Sequence, residues 1–542
     1  MRHLVNAFNP KATPQDESIP GRTDQVQNSA GGFVFAVDKW KRLERFLVLG
    51  TEGGSYYVSE RKLTVDNAKS VAECLKEDGL RVVDAVVDVS HGGRAPKNDS
   101  ALFVLAMAAC PAFASPQVNG YALDALPKVA RIGTHLFHFV EFVDNMRGWG
   151  RSLRRAVAQW YLAKPVEDAA QQIVKYQSRD GWSHKDLLKL AHPKTDDPVR
   201  NQLFHWATES TRTIPSAELP QVVQGFELAK GEHAPKKLVK LIEKYGLTRE
   251  MLPTESLVLP EIWEALLPGM PANALIRNLG NMSKCGFLAP LSNAIPDVVD
   301  KLTAPAYLLR NRVHPMDVLF ALKTYASGQG FRGKGTWPVV PQVVDALNEA
   351  FYIAFKCVAP TGKRFYLGVD VSGSMGTPIA NSNVTCREAA AAVAMVFART
   401  EPMCYAAGFQ TDGSYRSNWG RRGTKMIPLP ITAKSTLQEI TAYTTRLPFG
   451  GTDCALPMLD ALEKKLDVDV FIVLTDHETW AGSIQPTQAL AKYRRERGIN
   501  AKMVVVGMTA TEFTIADPTD SGQLDVVGFD TSVPAVVADF VK

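Results

Sequence analysis

The spacing of apolar residues changes near Pro360, and that change divides the 542-residue chain into two regions of different construction. From about residue 30 to 355 apolar side chains recur at three- and four-residue intervals, broken by Pro and Gly, which is the period of helices that bury one face. Examples are ALFVLAMAAC from Ala101, THLFHFVEFVDNM from Thr134, SLRRAVAQWYLA from Ser152, SLVLPEIWEALL from Ser256 and MDVLFALKTYA from Met316. No strict sequence period accompanies them, but the pattern fits a stack of paired helices, each pair burying a face against its neighbours. Beyond Pro360, short apolar runs alternate with helical stretches: FYLGVDV from Phe365, CYAAGF from Cys404, VDVFIVLTD from Val468 and AKMVVVGM from Ala501, with REAAAAVAMVFART and LAKYRRER between. Strands so uniformly apolar are covered on both faces, which predicts a mostly parallel α/β sheet flanked by helices.

Composition limits what such a chain can be. A hydrophobic fraction of 46% is ordinary for a folded protein. No uncharged apolar stretch of about 18 residues occurs, and MRHLVNAFNPKATPQDE lacks the apolar core of a secretion signal, so a soluble cytoplasmic protein is expected. The seven cysteines (Cys74, Cys110, Cys285, Cys357, Cys386, Cys404, Cys454) form no Cys-x-x-Cys pair and are read as buried thiols rather than a disulfide framework or zinc site. A formal charge of +5 is too mild to demand a polyanionic partner, so any nucleic-acid argument rests on local clustering.

The chemistry of the second region gathers at the ends of its strands. In open parallel sheets functional loops lie beyond the carboxyl ends of the strands, and Asp370 closes YLGVD while Asp476 closes FIVLTD. In DVSGSM, Asp370, Ser372 and Ser374 alternate, so a loop leaving the strand can turn their oxygens toward one point; FGGTD supplies Thr452. Hydroxyls and carboxylates without His or Cys suit a hard divalent cation such as Mg²⁺, which keeps several waters and leaves room for an outside acidic ligand. Asp453 and His477, which flank the set, are read as loop caps. A phosphoryl-transfer reading wants a second Asp two residues after Asp370, where Ser372 stands. No G-x-x-x-x-G-K-[ST] sequence occurs, and GQGFRGKG from Gly328 follows no apolar strand and reads as a surface turn. No catalytic residues are assigned, and the chain is expected not to be an enzyme.

DVSGSM, the Thr of GGTD and the Asp of LTDHE resemble the metal-ion-dependent adhesion site of von Willebrand factor A domains. The resemblance implies that Ser372, Ser374 and Thr452 contribute hydroxyls beside Asp370 and Asp476.

The densest unusual segment of the helical region is KYQSRDGWSHKDLLKLAHPK, from Lys175 to Lys194. Ser183 and Asp186 have the spacing of a capping box for a helix that starts at His184. At 100° per residue Lys185, Lys189 and His192 then share one face while Leu187, Leu188, Leu190 and Ala191 take the other. Lys175 and Arg179 lie just before the DGW turn, Arg151, Arg154 and Arg155 add cations upstream, and Trp182 reads as an anchor of the turn. Cations grouped on adjacent helices can neutralise several phosphates with little base reading, and on the residues alone a solvated face explains them as well.

Across most of its length the chain also resembles the Ro ribonucleoprotein autoantigen family, a HEAT-like helical-repeat TROVE ring followed by a von Willebrand factor A domain. The stretches that carry the likeness are GGFVF, RFLVLGTEGGSYY, RIGTHLF, the Lys175–Lys194 segment, ALIRNLGNM, RVHPMDVLFAL, PTGKRFYLGVDVSGSM, GGTDCALPM and FTIADP. It implies an N-terminal extension over 1–29, a TROVE domain over 30–359 and the metal-binding module over 360–542. The family implies Y RNA bound on an outer basic surface and single-stranded ends of misfolded or structured RNA in a central hole, in RNA quality control, processing or decay. By alignment, Lys175, Arg179 and His192 fall where the family contacts Y RNA, with His184 and Lys185 carried over beside them and Arg277 and Arg312 in matching motifs. NAFNPKATPQDE is similar to bacterial members, for which the implied partner is an exoribonuclease, polynucleotide phosphorylase, tethered by the Y RNA; the protein is expected to be a monomer that does not bind membranes. Loops 193–235 and 408–428 depart from the pattern. The alternative is a protein–protein adaptor whose metal site grips a partner's carboxylate.

Overall fold

FYLGVD carries no charge before Asp370, and such a strand is stable only when both faces are covered. In a computed structural model of the chain, Phe365–Asp370 is buried along its whole length near the middle of a six-stranded sheet. The structure describes residues 12–50, 63, 65, 68–209, 218–331, 335–355, 360–378, 384–411, 424–447, 451–509, 511–528 and 530–542. The strand order is Gln523–Val527, Lys502–Gly507, Val470–Thr475, Phe365–Asp370, Cys404–Thr411, Thr424–Pro428. Every neighbouring pair is parallel except the last, in which Thr424–Pro428 runs antiparallel at the edge.

The register fixes where the chemistry falls. Val369 stands opposite Leu474, so Asp370 and Asp476 leave adjacent parallel strands at the same end of the sheet. Helices Cys386–Thr400, Leu456–Glu463 and Pro486–Arg497 cover the sheet, and the core includes Tyr366, Phe471, Met503, Met458 and Tyr493. Each such apolar side chain buried contributes about 1.5–3 kcal/mol, and their number fixes the strands against the helices. A Cβ on Gly368 would lie 2.6 Å from Pro457 Cγ, so only glycine lets the helix beginning at Leu456 sit this close to the strand.

The chain forms two compact units, one of residues 68–354 and one of residues 1–67 with 355–542. The N-terminal residues therefore belong with the sheet, whereas the sequence pattern groups everything after residue 30 with the helices. The reason is a small sheet of its own: Phe33–Ala36 pairs antiparallel with both Gln25–Gln27 and Phe513–Thr514. Helix Lys39–Leu49 follows, capped by Asp38, and its buried Arg45 pairs with Asp525 at 2.7 Å. RFLVLG ends in that helix; most of the GTEGGSYY that follows it lies outside the described residues.

The helical unit follows the apolar period closely. Helices Asp99–Ala108, Gly133–Arg147, Arg151–Leu162 and Pro315–Ala326 coincide with the runs that predict them. SLVLPEIWEALL is broken in two, a 3₁₀ turn at Thr254–Val258 and a helix at Pro260–Leu266, because Pro260 cannot donate a backbone hydrogen bond and starts a new helix instead. Within this unit, Arg312 Nε donates to His91 O at 3.1 Å and His314 Nε2 lies 3.2 Å from Arg94 O, contacts between residues far apart in the chain. Late helices of the unit are thereby bonded to early ones.

Among the described residues the cysteines are thiols not joined in disulfides, with Cys74, Cys110, Cys386 and Cys454 buried and Cys285 and Cys404 only partly so; Cys357 lies outside them. No described helix is long and apolar enough to cross a membrane. In the GQGFRGKG segment Gly330 N donates to Gly335 O at 2.9 Å; residues 332–334 lie outside the described residues.

Candidate metal centre and nucleic-acid interface

At the carboxyl end of the sheet, the backbone itself sets the first contacts. Asp370 has no solvent exposure; its Oδ1 accepts from Ser372 N at 2.9 Å and its Oδ2 from Thr475 Oγ1 at 2.7 Å. The first bond folds DVSGSM back over the strand end, and Ser372 Oγ comes to 3.2 Å from Ser374 Oγ. The Ser374 hydroxyl in turn bonds to Asp476. Thr452 is buried one loop away, its carbonyl accepting from Trp480 N at 3.1 Å and Ala481 N at 3.0 Å, so its loop is bonded to the one that follows Asp476.

The electrostatics of this cluster call for a cation. Burial raises the Asp370 carboxyl above its ordinary range, and the neighbouring Asp476 raises it further; Asp476 is itself raised by burial, offset in part by Ser374. Arg387 supplies one positive charge nearby, with Nη2 donating to Ser372 O at 2.9 Å, but the same burial lowers its own pKa. Two buried carboxylates and a group of hydroxyl oxygens make a hard donor set that fits Mg²⁺. Among the described residues no group of three or more His, Cys, Asp or Glu converges, which sets this donor set apart from thiolate–imidazole sites and carboxylate-rich cages. Thr475 and Arg387 shape the loop without belonging to the motif. The sequence hint for each is a polar residue in an otherwise buried run, Thr475 ending VFIVLT and Arg387 in the first turn of CREAAAAVAM.

The flanking residues divide. Asp453 caps its loop, with Oδ1 accepting from Ala455 N at 3.0 Å. His477 does not use its ring as a cap: the ring is fully buried, 3.8 Å from Asp525, and burial lowers its pKa to about 3, so it stays neutral.

The second cluster lies on the helical unit. Helix Val166–Lys175 leads into a two-stranded hairpin in which Arg179 stands opposite Trp182. Asp180 (φ 52°) and Gly181 (φ 83°) form its turn, the Asp-Gly pair tolerating the two consecutive left-handed positions that a tight hairpin of this hand requires. Helix His184–Ala191 then starts with the expected capping box: Ser183 Oγ accepts from Asp186 N at 3.3 Å, and Asp186 Oδ2 accepts from Ser183 N at 3.0 Å. Leu187, Leu188 and Ala191 are buried, while Lys189 and His192 are exposed and Lys185 is half-buried.

Several contacts hold this basic edge rigid. His138 lies between two carboxylates, its Nδ1 hydrogen-bonded to Asp99 Oδ1 at 2.8 Å and its Nε2 3.3 Å from Asp180 Oδ2, and so sets the hairpin turn against the helical core. Trp182 Nε1 donates to Glu141 Oε2 at 2.8 Å, with its ring 5.9 Å from that of Trp149, as befits a turn anchor. Arg154 Nε donates to Leu190 O at 2.8 Å, placing a cation at the carboxyl end of the helix beside exposed His192. Lys175 is half-buried with Nζ 5.4 Å from the Tyr176 ring centroid, and Arg179 has 56% of its side chain exposed. Arg151 and Arg155 are exposed as well.

His184 corrects the sequence reading. It is 2% exposed, its Nδ1 lies 2.6 Å from Tyr161 Oη, and it packs 4.7 Å from the Phe137 ring. Burial lowers its pKa to about 3, so it is a neutral core residue and cannot contact RNA from the surface. As the first residue of its helix it turns inward, which heptad-like spacing downstream does not reveal. Arg277 is exposed beside a cavity of about 380 Å³ lined also by Asp317, Phe320 and Trp337, and exposed Arg312, at φ 49°, lies close enough to Arg131 to help depress its pKa.

A helical unit carrying a rigid basic edge and a mixed α/β unit carrying an oxygen-rich cleft define a TROVE-type helical region joined to a von Willebrand factor A domain. A model of the TROVE domain matches residues 26–237 and 230–324, and a model of the Ro60 vWA domain matches residues 364–541. The chain belongs to the Ro60 family. It is 43% identical to the RNA-binding protein RO60 of Deinococcus radiodurans over 100% of this chain and 99% of that one. It is 35% identical to the RNA-binding protein RO60 of Caenorhabditis elegans over 95% of this chain and 90% of that one. The crystal structure of the Deinococcus radiodurans RO (RSR) protein matches with a TM-score of 0.70 and 42% identity, covering 93% of this chain and 99% of that chain.

Two outcomes follow from these geometries. Because the carboxyls of Asp370 and Asp476 are raised in the fold, the ion-free protein binds more protons than the unfolded chain above the ordinary aspartate value of 3.8, and this pair's contribution to stability falls as pH rises past it. A divalent ion that keeps both carboxylates ionised offsets that loss, so Mg²⁺ should raise the melting temperature more at about pH 7.5 than at about pH 5; equal increments in calorimetry at both would contradict it. His138→Leu should remove the close contact with Asp99 and the longer one with Asp180 and cost about 1–3 kcal/mol, seen as a lower melting temperature and faster amide exchange across 178–183.

Proposed function

We propose that this protein is a non-catalytic RNA-binding scaffold of a cytoplasmic Ro ribonucleoprotein. Lys175, Arg179, Lys185 and His192 meet the phosphates of a Y RNA stem, and single-stranded ends of misfolded or structured RNA are held elsewhere on the helical unit, with Arg277 and Arg312 as candidate contacts. The observation that carries this reading is the anchoring of the basic edge. Arg179 is presented by a hairpin pinned through His138, and His192 ends a capped helix held by Arg154, so the cations meet RNA with little ordering cost. The names of the relatives, RNA-binding proteins in a bacterium and a nematode, support it.

Asp370, Ser372, Ser374, Thr452 and Asp476 hold Mg²⁺ in this reading, as a metal-ion-dependent adhesion site. When bound, the ion supplies an open position for an outside carboxylate, while Arg387 and Thr475 keep the loop in shape. The protein works as a monomer for RNA quality control, processing or decay, and an exoribonuclease of the polynucleotide phosphorylase kind is its proposed partner through the RNA. A protein–protein adaptor acting through the metal site is the second reading, favoured by the hydroxyl-rich donor set.

Replacing Lys175, Arg179 and His192 together with Gln should weaken binding of the full-length chain to a Y RNA stem. It should also make the dependence of log K on log salt shallower by about 2, one for each full charge removed. Filter binding across a salt series reads both; unchanged affinity and slope would remove this edge as the RNA site. Asp370→Ala should abolish Mg²⁺ binding and leave RNA affinity within about twofold, since the two sites lie on different compact units.

A further inference from the structure

The N-terminal residues of the α/β unit do more than add a strand to it. Gln15 is fully buried, and its amide makes three bonds: Nε2 donates to Asp453 Oδ1 at 2.7 Å and to Ile484 O at 2.8 Å, and Oε1 accepts from Thr479 Oγ1. Asp453 is the residue after Thr452, and Thr479 lies three residues after Asp476. One side chain therefore joins the loop that carries Thr452 to the loop that follows Asp476.

A second amide repeats the arrangement on the Asp476 loop. Asn28 Nδ2 donates to His477 O at 3.2 Å and Thr479 O at 2.8 Å, while its Oδ1 accepts from Gly32 N at 2.8 Å and Ala30 N at 3.1 Å. Ala30 N also donates to Glu478 Oε2 at 3.0 Å. The backbone continues the clasp, with Gln15 N donating to Gly482 O at 2.9 Å and Phe33 N donating to Gln15 O at 2.7 Å. The approach is close enough that a Cβ on Gly32 would fall 1.8 Å from Thr479 O, so any other residue there would push the two chains apart.

We propose that residues 13–33 are a strap that positions Thr452 and Asp476 for the divalent ion, with Gln15 and Asn28 as positioning residues that do not touch the metal. It rests on the reading that the cleft holds such an ion. Buried amides fix loop geometry because each bond lost leaves a desolvated polar group behind. Partners just outside a metal's ligands typically change its affinity about 10- to 100-fold when removed. Linkage makes the effect mutual: if the docked strap tightens ion binding, the bound ion must tighten the strap.

The test uses the full-length chain with Mg²⁺ and Mn²⁺ as probes in titration calorimetry. Gln15→Leu keeps the volume and removes the three bonds; ion affinity should fall about 10- to 100-fold while affinity for an RNA stem stays unchanged. Arg22→Gln, which breaks the strap's ion pair with Asp517 away from the cleft, should lower the melting temperature but weaken ion binding far less. In the wild type, Mg²⁺ should slow amide exchange at Gln15 and Phe33, a readout that survives if Gln15→Leu does not fold. A wild type that binds neither ion overturns the metal reading and the strap with it. A wild type that binds, with Gln15→Leu binding equally or strap exchange unchanged by Mg²⁺, overturns the strap alone.

Discussion

Two carboxylates withdrawn from water at the ends of adjacent parallel strands are the constraint around which the α/β unit is arranged. Asp370 and Asp476 stand where the register of Val369 with Leu474 puts them, and burial makes the ionised form of each costly there. Thr475 and Ser372 N each give Asp370 a hydrogen bond, Ser374 gives one to Asp476, and Arg387 adds a charge through the Ser372 carbonyl. Hydrogen bonds and one partly desolvated arginine lessen the cost but do not remove like-charge repulsion. A divalent cation would, and this is why an oxygen-rich cluster with Ser372, not a second acid, two residues after Asp370 reads as a ligand-gripping centre rather than a catalytic one.

The helical unit solves the opposite problem, since its cations must stay in water and yet be held still. Long basic side chains on a loose hairpin would lose much of their binding energy to ordering. The His138 bridge to Asp99 and Asp180, the Trp182–Glu141 bond and the Ser183 capping box remove most of that freedom from the backbone while leaving Arg179 and His192 exposed. In the proposed reading, affinity for phosphates and the order of the fold come from different residues, the first on the surface and the second behind it.

Local rules made much of this legible before any coordinates. The Asp-Gly turn, the capping box at Ser183, the strand ends at Asp370 and Asp476 and the helices at Asp99, Gly133 and Arg151 all follow from short-range preferences acting within a few residues. Pro260 shows the same rule at finer grain, since its missing donor splits an apolar run that hydrophobic spacing alone treats as one helix. Arg387 and Thr475 are visible only as polar interruptions of buried runs, and nothing in their own spacing says which loop each serves.

The sequence by itself determined the two kinds of architecture, the family, the oxygen-rich loop and the basic segment, because periodicity, turn chemistry and motif spacing are properties of neighbouring residues. Only the tertiary structure decided that His184 is a core residue while His192, at the other end of the same helix, faces solvent, since burial depends on Phe137 and Tyr161 from distant helices. Only it placed residues 12–49 with the α/β unit, through the pairing of Phe33–Ala36 with Phe513–Thr514 and the Arg45–Asp525 bridge. The contact of Gln15 with Asp453 spans 438 positions, a separation at which a chain carries no local signal of which surface will bury it.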